Sequence, residues 1–342
     1  MKKLAVLASF LLLVACSTAP EQSVSLSVPL SSPSPSPVAD LVHSENVNAF
    51  VQQMVTRYHF DANSLSALLA QAKIMPSLTN QMNHPSEKRL SWYQYQALFI
   101  TPETIQEGRV FLKQHPKILQ QAQNRYGVPP GMIVAILGVE TRYGLNEGHF
   151  SALNVLYTLS FAYPRRETYF QNELAQFLVL NRDAHFDPLA VKSSYAGALG
   201  MPQFMPSAYR QYAVASGHHY PNLFSNPDDV ILSVGHYFAK MGWQKGMPVA
   251  LQAIDLHDQP IPDAFVNQSL SLKAFAHAGI VPVNLSHPKR DENMQAKLLK
   301  LQGVNGPEYW FVFHNFNVIK RYNASDLYAM TVFHLGQFVS SP

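Results

Sequence analysis

Cysteine is nearly missing from this chain: Cys16 is the only one. No intrachain disulfide and no cysteine-cluster zinc site can form from it. Charge is scarce as well, at 14% of residues, with 25 basic against 22 acidic side chains and no block of either sign. That argues against a polyanion-binding surface, and no zinc-finger spacing or other nucleic-acid motif is present, so no nucleic-acid partner is expected. A glycine-rich phosphate loop and an alternating strand–helix pattern are both lacking, which excludes a doubly wound nucleotide-binding fold. No long hydrophobic run occurs either; the longest, Leu4–Val14, is too short and wrongly flanked for a retained membrane span. Aromatic and amide side chains are plentiful instead, with 16 Tyr and 20 Phe. Such a surface suits a neutral polar ligand better than a charged one.

Lys2, Lys3 and the apolar run end in Leu13-Val14-Ala15-Cys16, which reads as an export signal over 1–15. This start resembles a bacterial lipoprotein signal, in which cleavage before the cysteine frees Cys16 for lipid attachment. The alternative is Cys16 as an ordinary signal residue. Ser17 after it resembles an outer-membrane address, so the resemblance implies a palmitate-type lipid anchor in the outer membrane and a body facing the periplasm. Residues 16–42, with SSPSPSPV at Ser31–Val38, are too poor in large apolar residues to bury a core and read as an extended tether.

The remaining 300 or so residues read mainly as helices. A helix is expected over Asn46–Tyr58, with Phe50, Val51, Met54 and Val55 on one face, and another over Ser64–Ala72. Trp92, Tyr93, Tyr95 and Phe99 suggest an aromatic strand or turn. Thr101 then caps a helix starting at Pro102, and Pro116–Tyr126 forms another that stops at Gly127.

Gly131–Gly144, GMIVAILGVETRYG, organises the chain. Apolar side chains cover more than one face, so this helix is expected in the middle of the body. Glu140 at its end must be paired, neutral or open to a cleft. Two readings stand: a structural Glu140–Arg142 or Glu–Lys pair, or a general acid kept protonated by an apolar wall. Glu147 is a remote second carboxylate candidate, while Glu173, Asp183 and Asp187 read as solvated.

Further on, Tyr169, Phe170, Leu174, Phe177 and Leu178 make one stripe of a long helix, with Tyr169 either core or cleft lining. Ser193–Tyr209 carries Gly197 and Gly200, each costing about 1 kcal/mol in a helix, together with Ser194, Gln203 and Ser207. It is either a packed turn or a ligand wall beside Glu140. Pro227–Gly242 reads as a helix, and 248–300 as a smaller mixed lobe with strands at Leu251–Leu256 and Ile280–Leu285. Tyr309–Ile319 is expected to be extended, with Asn323 in a turn and Ser325 capping a last helix to Val339.

GVETRYG at Gly138–Gly144, YPRR at Tyr163–Arg166 and SYAGALGMPQFMPSAY at Ser194–Tyr209 recur in one family, as do GPEYW at Gly306–Trp310 and NFNVIKRYN at Asn315–Asn323. Through them the chain resembles the MltB-type membrane-bound lytic murein transglycosylases (glycoside hydrolase family 103). The resemblance implies a mainly α fold, a lysozyme-like helical core with flanking helices and a smaller β-containing lobe. The divisions expected are 43–130 N-terminal helical, 131–247 catalytic core, 248–308 smaller lobe and 309–342 returning to the core. It further implies peptidoglycan glycan strands as substrate, with cell-wall synthesis or division proteins as candidate partners. Residue by residue, Glu140 resembles the single catalytic acid/base. Ser194 and Asn323 resemble groups bonding near it, and Gln203, Ser207, Tyr169, Tyr95, Tyr237 and Tyr322 resemble groove residues.

The implied reaction cleaves the bond from N-acetylmuramic acid to N-acetylglucosamine and closes a 1,6-anhydro ring, so one carboxyl serves as acid and then base. Alternatives are a lysozyme-like hydrolase and a non-catalytic glycan-binding lipoprotein. No cofactor is expected. The family's acidic calcium loop corresponds to Ala213–Phe224, AVASGHHYPNLF, which contains no Asp or Glu. Calcium takes six to eight oxygens, and His218 and His219 are poor replacements, so no metal site is expected there.

Overall fold

A computed structural model describes residues 37–83, 90–257, 259–283 and 292–341. The signal, Cys16 and most of the tether lie outside the described residues, as do positions 284 and 285 of the last expected lobe strand. Helix α1 (Pro37–Tyr58) starts inside the expected tether, with Pro37 at a first-turn position that proline tolerates. Its Phe50, Val51 and Met54 are buried. Helices α2 (Ala62–Leu69) and α3 (Pro76–Asn83) follow.

The aromatic stretch after them is a helix, α4 (Trp92–Phe99), and not the strand or turn its composition suggests. Trp92, Tyr95 and Phe99 recur at three and four residues and are all buried. A reciprocal capping box joins Ser91 and Gln94 at its start. Aromatic strand propensity is weak beside such a cap and a buried face. Helices α5 (Pro102–Gln114) and α6 (Pro116–Tyr126) sit as expected: Thr101 accepts from the Thr104 amide, and Gly127 ends α6 at φ 74°.

Helix α7 (Pro130–Thr141) is buried from Gly131 to Thr141. Burying an aliphatic side chain contributes about 1.5–3 kcal/mol, so its apolar run is a major source of cohesion. Helices α8 (Ala152–Phe161), α9 (Glu167–Ala184), α10 (Pro206–Tyr212) and α11 (Pro227–Lys240) complete the helical wall. The last helix, α14 (Asp326–Ser340), is capped by Ser325 and packs on α7. A Cβ on Gly131 would lie 2.7 Å from the Gly336 carbonyl, so the two backbones meet closely there. At the other end Tyr328 of α14 bonds Glu140 of α7. The pair is therefore antiparallel, and it brings the start of α14 to the end of α7.

Two short strands, β1 (Phe150–Ser151) and β2 (Lys192–Ser193), pair antiparallel. The smaller lobe comprises β3 (Ala250–Asp255), β4 (Ser269–Ser271), β5 (Ile280–Pro282), β6 (Gln295–Gly303) and β7 (Gly306–Val312), an antiparallel five-stranded sheet of order β4-β6-β7-β3-β5. One face, with Ala296, Leu298 and Phe311, closes a small core with Phe275 of α12 (Leu272–His277). The other, with Leu299, Leu301, Trp310 and Val312, joins the main core. Side chains alternate across a strand, so one sheet both closes its lobe and docks it.

Strand β7 runs to Val312, so the sheet passes the expected boundary at 308. The expected extended stretch Tyr309–Ile319 also divides: after Phe313 the chain turns into α13 (His314–Ile319). Asn315 sets that switch, its amide donating to the carbonyls of Gln244 and Met247, both at 2.9 Å. Among the described residues, no helix is long and apolar enough to cross a membrane.

Candidate active site

Glu140 occupies the last turn of α7 and is 4% exposed. The Tyr328 hydroxyl donates to Glu140 Oε1 at 2.6 Å, a bond between two helices 188 residues apart in sequence. Burial holds the Tyr328 hydroxyl pKa well above its usual range, and the neighbouring Glu140 charge raises it further. Tyr328 is therefore a donor at every working pH. The expected structural pair between Glu140 and Arg142 does not form. Arg142 takes a left-handed conformation (φ 50°) just past the helix and makes a two-pronged bond to Glu107, at 2.6 Å for each prong. The competing cation is thereby turned away from the carboxyl.

Thr141 fastens this helix end to the opposite wall, its hydroxyl donating to the Met201 carbonyl at 2.8 Å. Met201 lies in a tight hairpin closed by the Leu199–Phe204 bridge. Gly200 is required there: φ is +64°, and a Cβ would lie 2.4 Å from the Leu223 carbonyl. Gln203 also sits at positive φ (51°), a costly conformation for a side-chain-bearing residue. Its amide donates to the carbonyls of Gly200 (2.9 Å) and Glu147 (3.1 Å), leaving the buried Oε1 without a protein partner. The Glu147 carboxyl, on the turn after α7, is pushed up to about 7 by burial.

A cleft of about 360 Å³ opens beside this hairpin, and Tyr169, Gln203, Ser207, Tyr237 and Tyr322 all line it. Five of the expected groove residues are thus brought together. Their surroundings explain their positions. The Arg166 guanidinium stacks 4.0 Å from the Tyr169 ring centre, and burial pushes that hydroxyl up to about 12. Tyr237 donates to the Arg321 carbonyl at 2.7 Å, and Tyr322 to that of Pro202. The two rings meet edge-on at 4.9 Å. Burial raises both hydroxyl pKa values, and the Glu140 charge adds to the rise in each, so the carboxyl is within electrostatic reach of both rings.

Ser194, 6% exposed, holds a turn: its hydroxyl accepts from the Ala198 amide at 3.1 Å. Gly148 packs directly on it, with space for a Cβ denied by the Ser193 carbonyl at 2.2 Å. Asn323 is buried in the turn before α14, where its Oδ1 accepts from the Ser325 amide at 3.2 Å. Tyr95 is 1% exposed on α4, in the core and within electrostatic reach of Tyr328.

Three functional groups escape the sequence reading. Tyr328 looks like one more apolar position of the final helix, and its contact with Glu140 exists only through the α7–α14 pairing. Glu173, expected to be solvated, is 2% exposed and accepts from the Ser207 amide (2.9 Å) and hydroxyl (2.7 Å). Burial raises its pKa, against the Ser207 bonds and Arg166.

Asp229 of α11, with a side chain 0% exposed, accepts from the Ser216 amide (2.7 Å), the Asn222 amide (2.8 Å) and His219 Nε2 (2.8 Å). This carboxylate ties down the loop that lacks acidic residues of its own. The same loop reaches the hairpin, because the Met201 amide donates to the Leu223 carbonyl at 3.0 Å. Asn226 caps α11 by accepting from the Asp228 and Asp229 amides, but Asp229 carries no sign in the sequence that it points back into the loop. Among the described residues, no group of three or more His, Cys, Asp or Glu side chains could hold a metal ion.

The family model "Transglycosylase SLT domain" matches residues 43–337. Membrane-bound lytic murein transglycosylase B of Escherichia coli K12 is 42% identical over 311 residues, spanning 88% of this chain and 84% of that one. Among solved structures, soluble lytic transglycosylase SltB1 of Pseudomonas aeruginosa superposes with TM-score 0.79 at 35% identity, covering 86% of this chain and 98% of that one. Escherichia coli Slt35, solved with calcium, gives 0.77 at 42% identity over 86% and 92%. SltB3 of Pseudomonas aeruginosa, solved with NAG-NAM-pentapeptide, gives 0.77 at 26% identity over 87% and 80%. The chain belongs to the transglycosylase SLT domain family and resembles its membrane-bound lytic murein transglycosylase B members along most of its length.

Proposed function

We propose that this protein is a lytic transglycosylase that cleaves the MurNAc-β-1,4-GlcNAc bond of peptidoglycan and leaves 1,6-anhydromuramoyl ends. One observation carries the chemistry: a buried carboxyl, Glu140, bonded at 2.6 Å to the Tyr328 hydroxyl and within electrostatic reach of Tyr237 and Tyr322, two rings of the tyrosine-lined cleft. An ordinary glycosidase uses two carboxyl groups in concert. Glu173 is the carboxylate lining the cleft, and both of its oxygens are held by Ser207. A reaction needing one proton-transferring residue fits this arrangement.

Glu140 gives its proton to the glycosidic oxygen as the bond to C1 of the muramoyl residue breaks. The substrate's own 2-acetamido oxygen attacks C1, forming an oxazoline-like intermediate. Glu140, now ionised, takes the proton of the C6 hydroxyl, and that oxygen closes on C1 while the acetamido oxygen leaves. The proton count balances, and the carboxyl ends as it began. Burial in α7 favours the neutral acid of the first step, while the Tyr328 hydroxyl stabilises the carboxylate needed in the second. Ser194, Asn323, Gln203, Ser207, Tyr169, Tyr95, Tyr237 and Tyr322 orient the saccharide or the carboxyl and do not titrate in the reaction.

The lipoprotein-like start supports a periplasmic enzyme anchored in the outer membrane through Cys16. Digestion of purified sacculi tests the chemistry. Muropeptides lighter by one water than their reducing counterparts are expected, and reducing muramic ends alone would assign a hydrolase instead.

A further inference from the structure

Two charged residues line the cleft, Glu173 and Arg321. The Glu173 charge is answered within the protein by Ser207 and, electrostatically, by Arg166. Arg321 differs. Its main chain is fixed on both sides, the amide donating to the Val318 carbonyl at 3.0 Å and the carbonyl accepting from Tyr237 at 2.7 Å. Its side chain is exposed and has no ion pair or hydrogen bond among the described residues. The adjacent cation, Lys320, is by contrast paired with Asp326 at 2.5 Å. Of two consecutive cations after α13, one is neutralised, and the other belongs to a residue at the cleft and is close enough to act electrostatically on Tyr237.

Where a stem peptide is attached the muramoyl lactyl group is an amide, so the sugar portion of such a strand, with neutral hydroxyl, acetamido and lactyl groups, gives that guanidinium nothing ionic to meet. The anions of peptidoglycan are the carboxylates of the stem peptides carried on the muramoyl lactyl groups. We propose that Arg321 is a specificity-determining residue that recognises a stem-peptide carboxylate on the muramoyl residue held in the cleft. This rests on the cleft being the peptidoglycan groove. Tyr322, the next residue, forms part of the saccharide wall with Phe204 and Tyr237, so one short turn presents a sugar-contacting ring and a peptide-reading cation side by side. A guanidinium fork matches a carboxylate in two parallel bonds, which an ammonium cannot reproduce.

The test compares two peptide-bearing substrates: glycan strands with free stem-peptide carboxylates, and the same strands with those carboxylates converted to amides, since removing the peptides with an amidase would leave a lactyl carboxylate on each muramoyl residue. For the wild type, kcat/KM is expected to be higher on strands with free stem-peptide carboxylates than on the amidated ones, with the preference shrinking as salt is added. Arg321→Gln is expected to lower the ratio of the two kcat/KM values by about five- to tenfold, through KM, and Arg321→Lys to give an intermediate ratio. An unchanged ratio in both variants overturns the proposal even if total activity falls, because a purely structural or sugar-binding role affects both substrates alike. Should Arg321→Gln not fold, Arg321→Lys carries the same comparison. A wild type that makes no anhydro ends on either substrate overturns the lytic reading itself, which is distinguishable from a failure confined to Arg321.

Discussion

Tyr328→Phe removes one oxygen and leaves the ring that fills the space between α7 and α14. The lost bond is 2.6 Å long, buried, and made to a carboxyl. A hydrogen bond to a charged group contributes about 1.5–3 kcal/mol. Only the part that distinguishes carboxylate from carboxylic acid affects titration, because the hydroxyl also bonds the neutral acid. If half of it does so, the alkaline limb of activity moves by about half to one pH unit, at 1.36 kcal/mol per unit. The direction follows from the sign: the hydroxyl favours the charged form, so its removal favours the neutral one. The enzyme needs a protonated Glu140 to begin, so kcat/KM should persist to higher pH in Tyr328→Phe. The second step, which uses the carboxylate as base, loses its stabilising donor, and kcat at the optimum is expected to fall about tenfold or more. The assay is release of anhydromuropeptides across pH 4 to 9, beside a thermal melt. A folded variant with an unchanged pH profile and unchanged kcat would refute the reasoning.

Asp229→Ala leaves the Ser216 and Asn222 amides and His219 without their acceptor, and a loss of about 2–4 kcal/mol is expected, read as a lower melting temperature. Burial raises the Asp229 pKa, but the bonds from Asn222, Ser216 and His219 outweigh it and hold the carboxyl below its usual range. A depressed folded value adds stability above the unfolded value of about 4 and loses it as pH falls through the folded one. The gap between wild type and Asp229→Ala should therefore be full at neutral pH and close in acid; a gap that widens in acid would reverse the assignment. Calcium titrated into the wild type is expected to give no micromolar binding heat and no rise in melting temperature, and either would contradict the reading of the 213–224 loop. Cys16→Ser is expected to move the protein from the outer-membrane fraction to the soluble periplasm, and unchanged membrane retention would count against the anchor.

The parts of this molecule legible in its sequence are those decided locally. Thr101, Ser325 and Gly127 announce helix ends because a cap is a bond or a backbone conformation within a few residues. The run ahead of Glu140 announces a buried helix because no exposed face is left on it. The aromatic stretch at Trp92 misleads, since strand propensity and a buried helical face use the same side chains, and the Ser91–Gln94 box decides between them. At Tyr309–Ile319 the switch from strand to helix is made by Asn315 reaching carbonyls about 70 residues away, which no local pattern reveals.

The site divides in the same way. Glu140 stands out by its surroundings in the chain, whereas Tyr328 differs in no visible way from the core residues around it. Glu173 lies on the polar stripe of α9 when α9 is considered alone; α10 packs over it and converts that stripe into an interface. Asp229 sits in an ordinary helix first turn, and only the returning loop makes it a hub. The residues hardest to identify are those whose partner is distant in sequence, because their role comes from the packing of two elements and not from either one.

The most direct measurement is the mass of the sugar ends released from intact sacculi by the wild type and by Glu140→Gln, with both shown by circular dichroism to fold alike. The wild type is predicted to yield 1,6-anhydromuramoyl ends, and Glu140→Gln none above background. Anhydro ends from a folded Glu140→Gln protein at a rate near that of the wild type would contradict the claim that this one carboxyl moves the proton both ways.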